Sequence, residues 1–225
     1  MSVLIATPSP DTTYSTTRGS HWRLKAPKDS DHREIVGVRS EYARTRLIWH
    51  FLEKTKHDHI LLLDSDMHPE PDALLKLLEH DKQIISALYF YRDRPAFPCL
   101  RENYDPTTIE KWPSPVFYDF PKDAVFEVGM VGFGFLLIRR DLFEQVHPVF
   151  SAAGRAVGLK KFLPWAYFGA WRGEMAGGDL IFSDLCKIGG AKLYCDSGVF
   201  VKHLSPGSVE RDEYDADAAR ESRRG

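Results

Sequence analysis

The stretch His59–Leu78, HILLLDSDMHPEPDALLKLL, decides the reading of this chain. Ile60-Leu61-Leu62-Leu63 has no polar alternation, so both faces of that strand should be covered, as in a parallel sheet flanked by helices. It stops at Asp64-Ser65-Asp66. Pro69-Glu70-Pro71-Asp72 then opens a helix with Leu74, Leu75, Leu77 and Leu78 on one side, and a strand from Gln83 to Tyr91 follows. Strand, crossover helix and strand in this order predict an α/β sandwich with a mostly parallel central sheet.

Working outward, Val3-Leu4-Ile5-Ala6 reads as a first buried strand ended by Thr7-Pro8-Ser9-Pro10. The polar residues up to about Arg33 give no assignable pattern, and Glu34–Val38 reads as a short second strand. Ser40 is placed to cap a helix carrying Leu47, Ile48, Phe51 and Leu52. Residues 92–122 are crowded with proline and aromatic side chains and read as an ordered binding excursion. Val125–Val128 and Phe133–Ile138 read as strands joined through Gly129, Gly132 and Gly134, with a short helix at about Asp141–Val146. Asp179–Ile188 is helical and stops at Gly189-Gly190. Ala191–Cys195 and Val199–Val201 are the last strand pieces, ending at Lys202-His203. The predicted organisation is one domain over residues 1–204 and a charged, mobile tail over 205–225.

Composition narrows the function. With 43% hydrophobic and 28% charged residues the chain is ordinary for a soluble protein, neither disordered nor a membrane bundle. Thirty Lys and Arg against 32 Asp and Glu leave a net charge of −2, so no global positive field draws nucleic acid. Three cysteines without a CxxC pair fit a reducing compartment, and MSVLIATPSP reads as a strand rather than a signal peptide. A cytoplasmic location is expected, with no transmembrane segment; oligomeric state is not readable.

The carboxylates Asp64 and Asp66 are the sharpest signal. Ligands of parallel α/β sheets gather beyond the carboxyl ends of strands. In an extended segment residues i and i+2 point the same way, and two adjacent carboxylates need a proton or cation between them. Oxygen ligands suit Mg²⁺ or Mn²⁺. His203, after the last strand, would complete an O/N shell; taken alone, a lone histidine is more often structural. Asp179 after Gly177-Gly178 is either a helix N-cap or a general base, with Glu174 as the nearby substitute. Trp165 and Trp171 would stack on a sugar ring or fill a core, and Gly132 and Gly134 permit close backbone approach to a ligand or a bulge. Arg44 would either reach a diphosphate or lie on a solvated helix face.

Taken in order, these pieces resemble the GT-A class of nucleotide-sugar glycosyltransferases, especially inverting family-2-like members. The matching segments are VLIATP (Val3–Pro8), SEYARTRLIWHFLE (Ser40–Glu53), His59–Leu78, ISALYFYRDRPAFPCL (Ile85–Leu100), VGMVGFGFLLIRRDLFE (Val128–Glu144) and GGDLIFSDLCKIGGAKLYCDSGVFVKH (Gly177–His203), more than half the chain. The resemblance implies a metal-dependent enzyme, using Mn²⁺ or Mg²⁺, that moves a sugar from a UDP- or GDP-sugar to an acceptor hydroxyl. It implies Asp66 and His203 on the metal, with Asp64 on the metal or the ribose. Ser65, Thr7 and Pro8 would lie at the nucleotide, Arg44 near the diphosphate, Gly178 at the substrate and Asp179 as base. The acceptor stays open: a small molecule, glycan, protein or modified nucleobase. The chain departs from the pattern at Gly178, where Glu is common, and at Thr45, where Asn is common. Three alternatives are weighed at this point, of which a nucleotidyltransferase would ordinarily carry a Gly-rich, basic loop after the first strand, unlike Thr7-Pro8-Ser9-Pro10. A haloacid-dehalogenase-like phosphatase would use Asp64 as nucleophile and Gly178-Asp179…Asp184 as its late motif. A nucleotide-sugar or glycan-binding module on the same fold would have no turnover.

Overall fold

Alternate residues of the apolar strand pack into two different cores. Ile60 and Leu62 join one cluster with Leu47, Phe51, Leu136, Phe150 and Phe182. Leu61 and Leu63 join the other with Leu74, Leu77, Phe135 and Val201. The uninterrupted run therefore does what its sequence predicts, presenting an apolar surface to helices on both sides.

The computed structural model describes residues 1–9, 15–91, 96–156, 169–171 and 174–204. Its elements are, in chain order, β1 (Val3–Ser9), α1 (Ser15–Arg23), β2 (Asp31–Val36), α2 (Ser40–Lys54), β3 (His59–Leu63), β4 (Met67–Pro69), α3 (Ala73–Glu79), β5 (Ile84–Leu88), β6 (Leu100–Arg101), β7 (Val125–Val128), β8 (Met130–Val131), β9 (Phe135–Arg139), α4 (Arg140–Ala156), β10 (Gly169–Trp171), β11 (Glu174–Ala176), α5 (Gly178–Ile188) and β12 (Leu193–His203). One α/β domain results. Its eight-stranded sheet has the order β2-β1-β3-β9-β5-β12-β4, with β7 also paired to β12.

The sheet is mixed. Strands β1, β2 and β3 are parallel, as are β5 and β12, while β9 runs antiparallel between β3 and β5. The expectation of a mostly parallel sheet holds for strand direction. It misses β9, and with it β4 and β7, which run antiparallel to β12; a short antiparallel strand buried on both faces, as β9 is, is as apolar as a parallel one.

Several boundaries move. Helix α1 and the start of β2 occupy the polar stretch that gave no pattern, because α1 (STTRGSHWR) has almost no apolar stripe. Ser40 is the first helical residue rather than the cap, which is Arg39 and makes no side-chain cap bond. Helix α4 continues past Pro148 to Ala156, held by buried Phe150. The two last strand pieces are one strand, β12, with a register shift between Asp196 and Phe200. The tail over 205–225 lies outside the described residues. Among the described residues no helix is long and apolar enough to cross a membrane.

Candidate functional site

The carboxyl ends of β1, β3, β5 and β12 meet at one place, and the strand ladders set what gathers there. Antiparallel pairing of β12 with β4 puts His203 opposite Met67, and the Leu204 N–H donates to the Asp66 carbonyl at 2.8 Å. A histidine 137 residues from Asp66 in sequence thereby comes within 3.3 Å of it, Nε2 to Oδ2.

The orientation of this imidazole is fixed from behind. His203 Nδ1–H donates to the Phe90 carbonyl at 3.1 Å, and the Tyr89 ring stands edge-on at 5.9 Å. Nε2 is thereby turned to a carboxylate oxygen. Two electron-pair donors at this spacing repel unless a proton or cation lies between them. A backbone carbonyl holding the far nitrogen is how metal-bound histidines are oriented. One imidazole and one carboxylate, each 16% exposed, fit a divalent cation whose remaining positions go to ligand oxygens and water. Among the described residues no group of three His, Cys, Asp or Glu side chains is gathered to hold a metal.

Asp64 faces elsewhere. The Met67 N–H donates to the Asp64 carbonyl at 3.1 Å, so residues 64–67 make a turn, and the i, i+2 rule for extended chain does not apply to the two carboxylates. Both Asp64 oxygens accept from Arg44 Nη2, at 2.8 and 2.7 Å. The guanidinium lies over the Phe133 ring, 4.9 Å from its centroid, and its Nε is buried without a partner. Burial works against the Arg44 charge, but the field and hydrogen bonds of Asp64, with Asp179 behind them, hold it above its ordinary value.

Asp179 sits in the first turn of α5, two residues beyond the N-cap Gly177, and its Oδ1 accepts from the Leu180 N–H at 2.9 Å. The N-cap alternative for Asp179 is therefore out. Burial pushes its carboxyl up most strongly and the charge of Asp64 adds to this; the Leu180 N–H and Arg44 pull it down, and the net direction is up. Gly178 opens the same helix.

The glycines serve a protein neighbour. Tyr89, buried, stands against Gly132 and Gly134, and its hydroxyl oxygen accepts the Gly134 N–H at 3.0 Å. The Gly134 carbonyl in turn accepts the Asp64 N–H at 3.0 Å. One phenol thus backs both His203 and the Asp64 turn. A Cβ on Gly132 would lie 1.8 Å from the Tyr89 hydroxyl. Gly132→Ala is expected to cost about 2–3 kcal/mol through overpacking, lowering Tm by ~5–10 °C in a thermal melt. An unchanged Tm would mean that Tyr89 is not wedged there.

Thr7 and Pro8 are buried at the end of β1, and Thr7 Oγ1 bonds His32 Nε2 at 2.9 Å. Ser65 is buried in the Asp64 turn. Thr45 turns into its own helix and donates to the Glu41 carbonyl at 2.8 Å. Trp165 lies outside the described residues; Trp171 and Glu174 are placed in β10 and β11 by backbone alone. The sequence reading missed Tyr89, Phe133 and the Phe90 carbonyl, which act through contacts across the sheet and leave no local signature. It also missed His21, whose Nε2–H donates to the Met67 carbonyl at 3.0 Å and ties α1 to the turn.

Asp184, the second carboxylate a phosphatase would need, is fully buried. It accepts from the Tyr104 hydroxyl and from Trp112 Nε1–H at 2.9 Å. It anchors the proline-rich excursion to α5, and that reading loses its late motif.

No protein-family model matches this chain, and no curated protein does. Solved structures share its fold. The STIV protein A197 superposes with a TM-score of 0.57 at 16% identity, covering 95% of this chain and 92% of that one. GalNAc-T7, solved with UDP, GalNAc and Mn²⁺, superposes with a TM-score of 0.55 at 14% identity, covering 93% of this chain and 44% of that one. At these identities the likeness is one of fold, and the fold is GT-A-like.

Proposed function

From this fold and site we propose that the chain is a metal-dependent glycosyltransferase of the inverting type, taking a UDP- or GDP-sugar as donor and a hydroxyl as acceptor. The observation that carries the reading is His203, locked by the Phe90 carbonyl so that Nε2 and Asp66 Oδ2 face one another at 3.3 Å. That pairing suits two ligands of one divalent cation. The likeness to a protein solved with UDP and Mn²⁺ supports the same choice of ligand class.

Asp66 and His203 would hold a Mn²⁺ or Mg²⁺ ion, which when bound offsets charge on the departing diphosphate. Thr7, Pro8 and Ser65 would line the nucleotide, and Arg44 would lie toward the diphosphate. Asp179 accepts the proton of the acceptor hydroxyl as its oxygen bonds to the anomeric carbon and the carbon–phosphate oxygen bond breaks on the opposite face, inverting the centre. Burial beside Arg44 leaves Asp179 a carboxylate with raised proton affinity, which suits a base. Gly178, Gly132 and Gly134, with Trp165 and Trp171, would border the sugar, and Glu174 is the substitute base.

A thermal-shift screen of nucleotide sugars with and without Mn²⁺ tests this. A bound donor at 100 times its Kd adds about 2.7 kcal/mol, a rise of several degrees that depends on the ion. No shift with any nucleotide sugar would sink the proposal. A shift without sugar transfer or hydrolysis would instead make the chain a binding module.

A further inference from the structure

We infer that Arg44 is the resident counter-ion of Asp64 and holds this carboxylate out of the cation site, so that, among the described residues, a divalent ion is gripped by Asp66 and His203 and not by Asp64. The inference rests on the cation-site reading above; it departs from the extended-chain expectation that both carboxylates of Asp64-Ser65-Asp66 face one ligand, and of the two places the resemblance allows Asp64 it takes the one off the metal.

Three observations carry it. One Arg44 nitrogen, Nη2, takes both Asp64 oxygens, at 2.8 and 2.7 Å, and the two side chains are only 14% and 23% exposed. The pair is therefore partly desolvated, and separating it would leave a poorly hydrated charge on each side. The guanidinium is fixed by Phe133 beneath it, at 4.9 Å, and so cannot swing clear at little cost. The Asp64 backbone is fixed too, by the bond from its N–H to Gly134 and by the turn to Met67. Asp66, one step round the turn, meets His203 instead.

The test is direct Mn²⁺ titration of the full chain by calorimetry, without nucleotide, on wild type, Arg44→Gln, Asp66→Asn and the double variant Arg44→Gln/Asp64→Asn. Circular dichroism verifies that each is folded. Removing Arg44 frees a carboxylate beside the ion, so Arg44→Gln is expected to bind Mn²⁺ roughly tenfold more tightly, the size of one unscreened charge at a half-buried site. The double variant is neutral at this pair, as wild type is, and a Gln–Asn pair keeps a hydrogen bond, so it stays readable if the single variant does not fold. It is expected to bind within about threefold of wild type, while Asp66→Asn loses ~30-fold or more. A double variant as weak as Asp66→Asn would make Asp64 a ligand and overturn the inference. If wild type binds no Mn²⁺ but Arg44→Gln does, the masking stands and the Asp66–His203 site falls. If neither binds, both fall.

Discussion

Asp179→Asn is expected to retain nucleotide-sugar binding and to lose transfer by roughly 10²–10⁴-fold, the usual contribution of a positioned general base. The substitution removes the proton acceptor and little else, because Asn keeps the oxygen that accepts the Leu180 N–H. The first turn of a helix favours the anion. Burial, the largest influence on Asp179, opposes it and wins. Two pH dependences of opposite sign follow. Transfer needs the carboxylate, so the rate rises as pH climbs through the raised Asp179 value. Stability goes the other way: a carboxyl whose proton affinity is higher folded than unfolded contributes fully below the unfolded value, and that contribution is lost as pH rises through the folded one. Both trends should vanish in Asp179→Asn. Initial rates and thermal melts across an acidic pH series, with an acceptor found by screening, supply the measurement. Wild-type turnover in the variant would pass the base to Glu174 or to the leaving phosphate.

The parts of this molecule that were legible beforehand are those whose signal is local. Ile60–Leu63 announced a strand covered on both faces, and its alternate residues do enter two cores. Helix α5 matched its expected span to within one residue, because a double glycine opens it and another closes it. The illegible parts depend on partners distant in sequence. Helix α1 has no apolar period of its own and is tied to the turn through His21. The orientation of Asp64 depends on a Met67 N–H that closes a turn where the spacing alone suggested extended chain. Gly132 and Gly134 were conspicuous, but nothing nearby says that the space beside them belongs to Tyr89, more than 40 residues earlier in the chain. His203 was readable as a candidate only; its significance comes from the β12–β4 register that carries it to Asp66.

That register makes the last prediction a paired one. Asp66→Ala and His203→Ala should each reduce Mn²⁺-dependent binding of UDP or GDP by ~100-fold or more, since each removes one of the two donors that the described residues bring to this site. Together they should cost little more than either alone, because a single remaining donor grips no better than none. Simple charge attraction predicts otherwise: it would make Asp66→Ala severe, His203→Ala mild and the two additive. The rotational lock on His203 sharpens the contrast. Its Nδ1–H is committed to the Phe90 carbonyl, so Nε2 is the atom turned to Asp66. Metal-free nucleotide binding should change little in either variant. Calorimetric titration with nucleoside diphosphate, with and without Mn²⁺, reads all of these quantities, and undiminished ion-dependent affinity in His203→Ala would remove the histidine from the site.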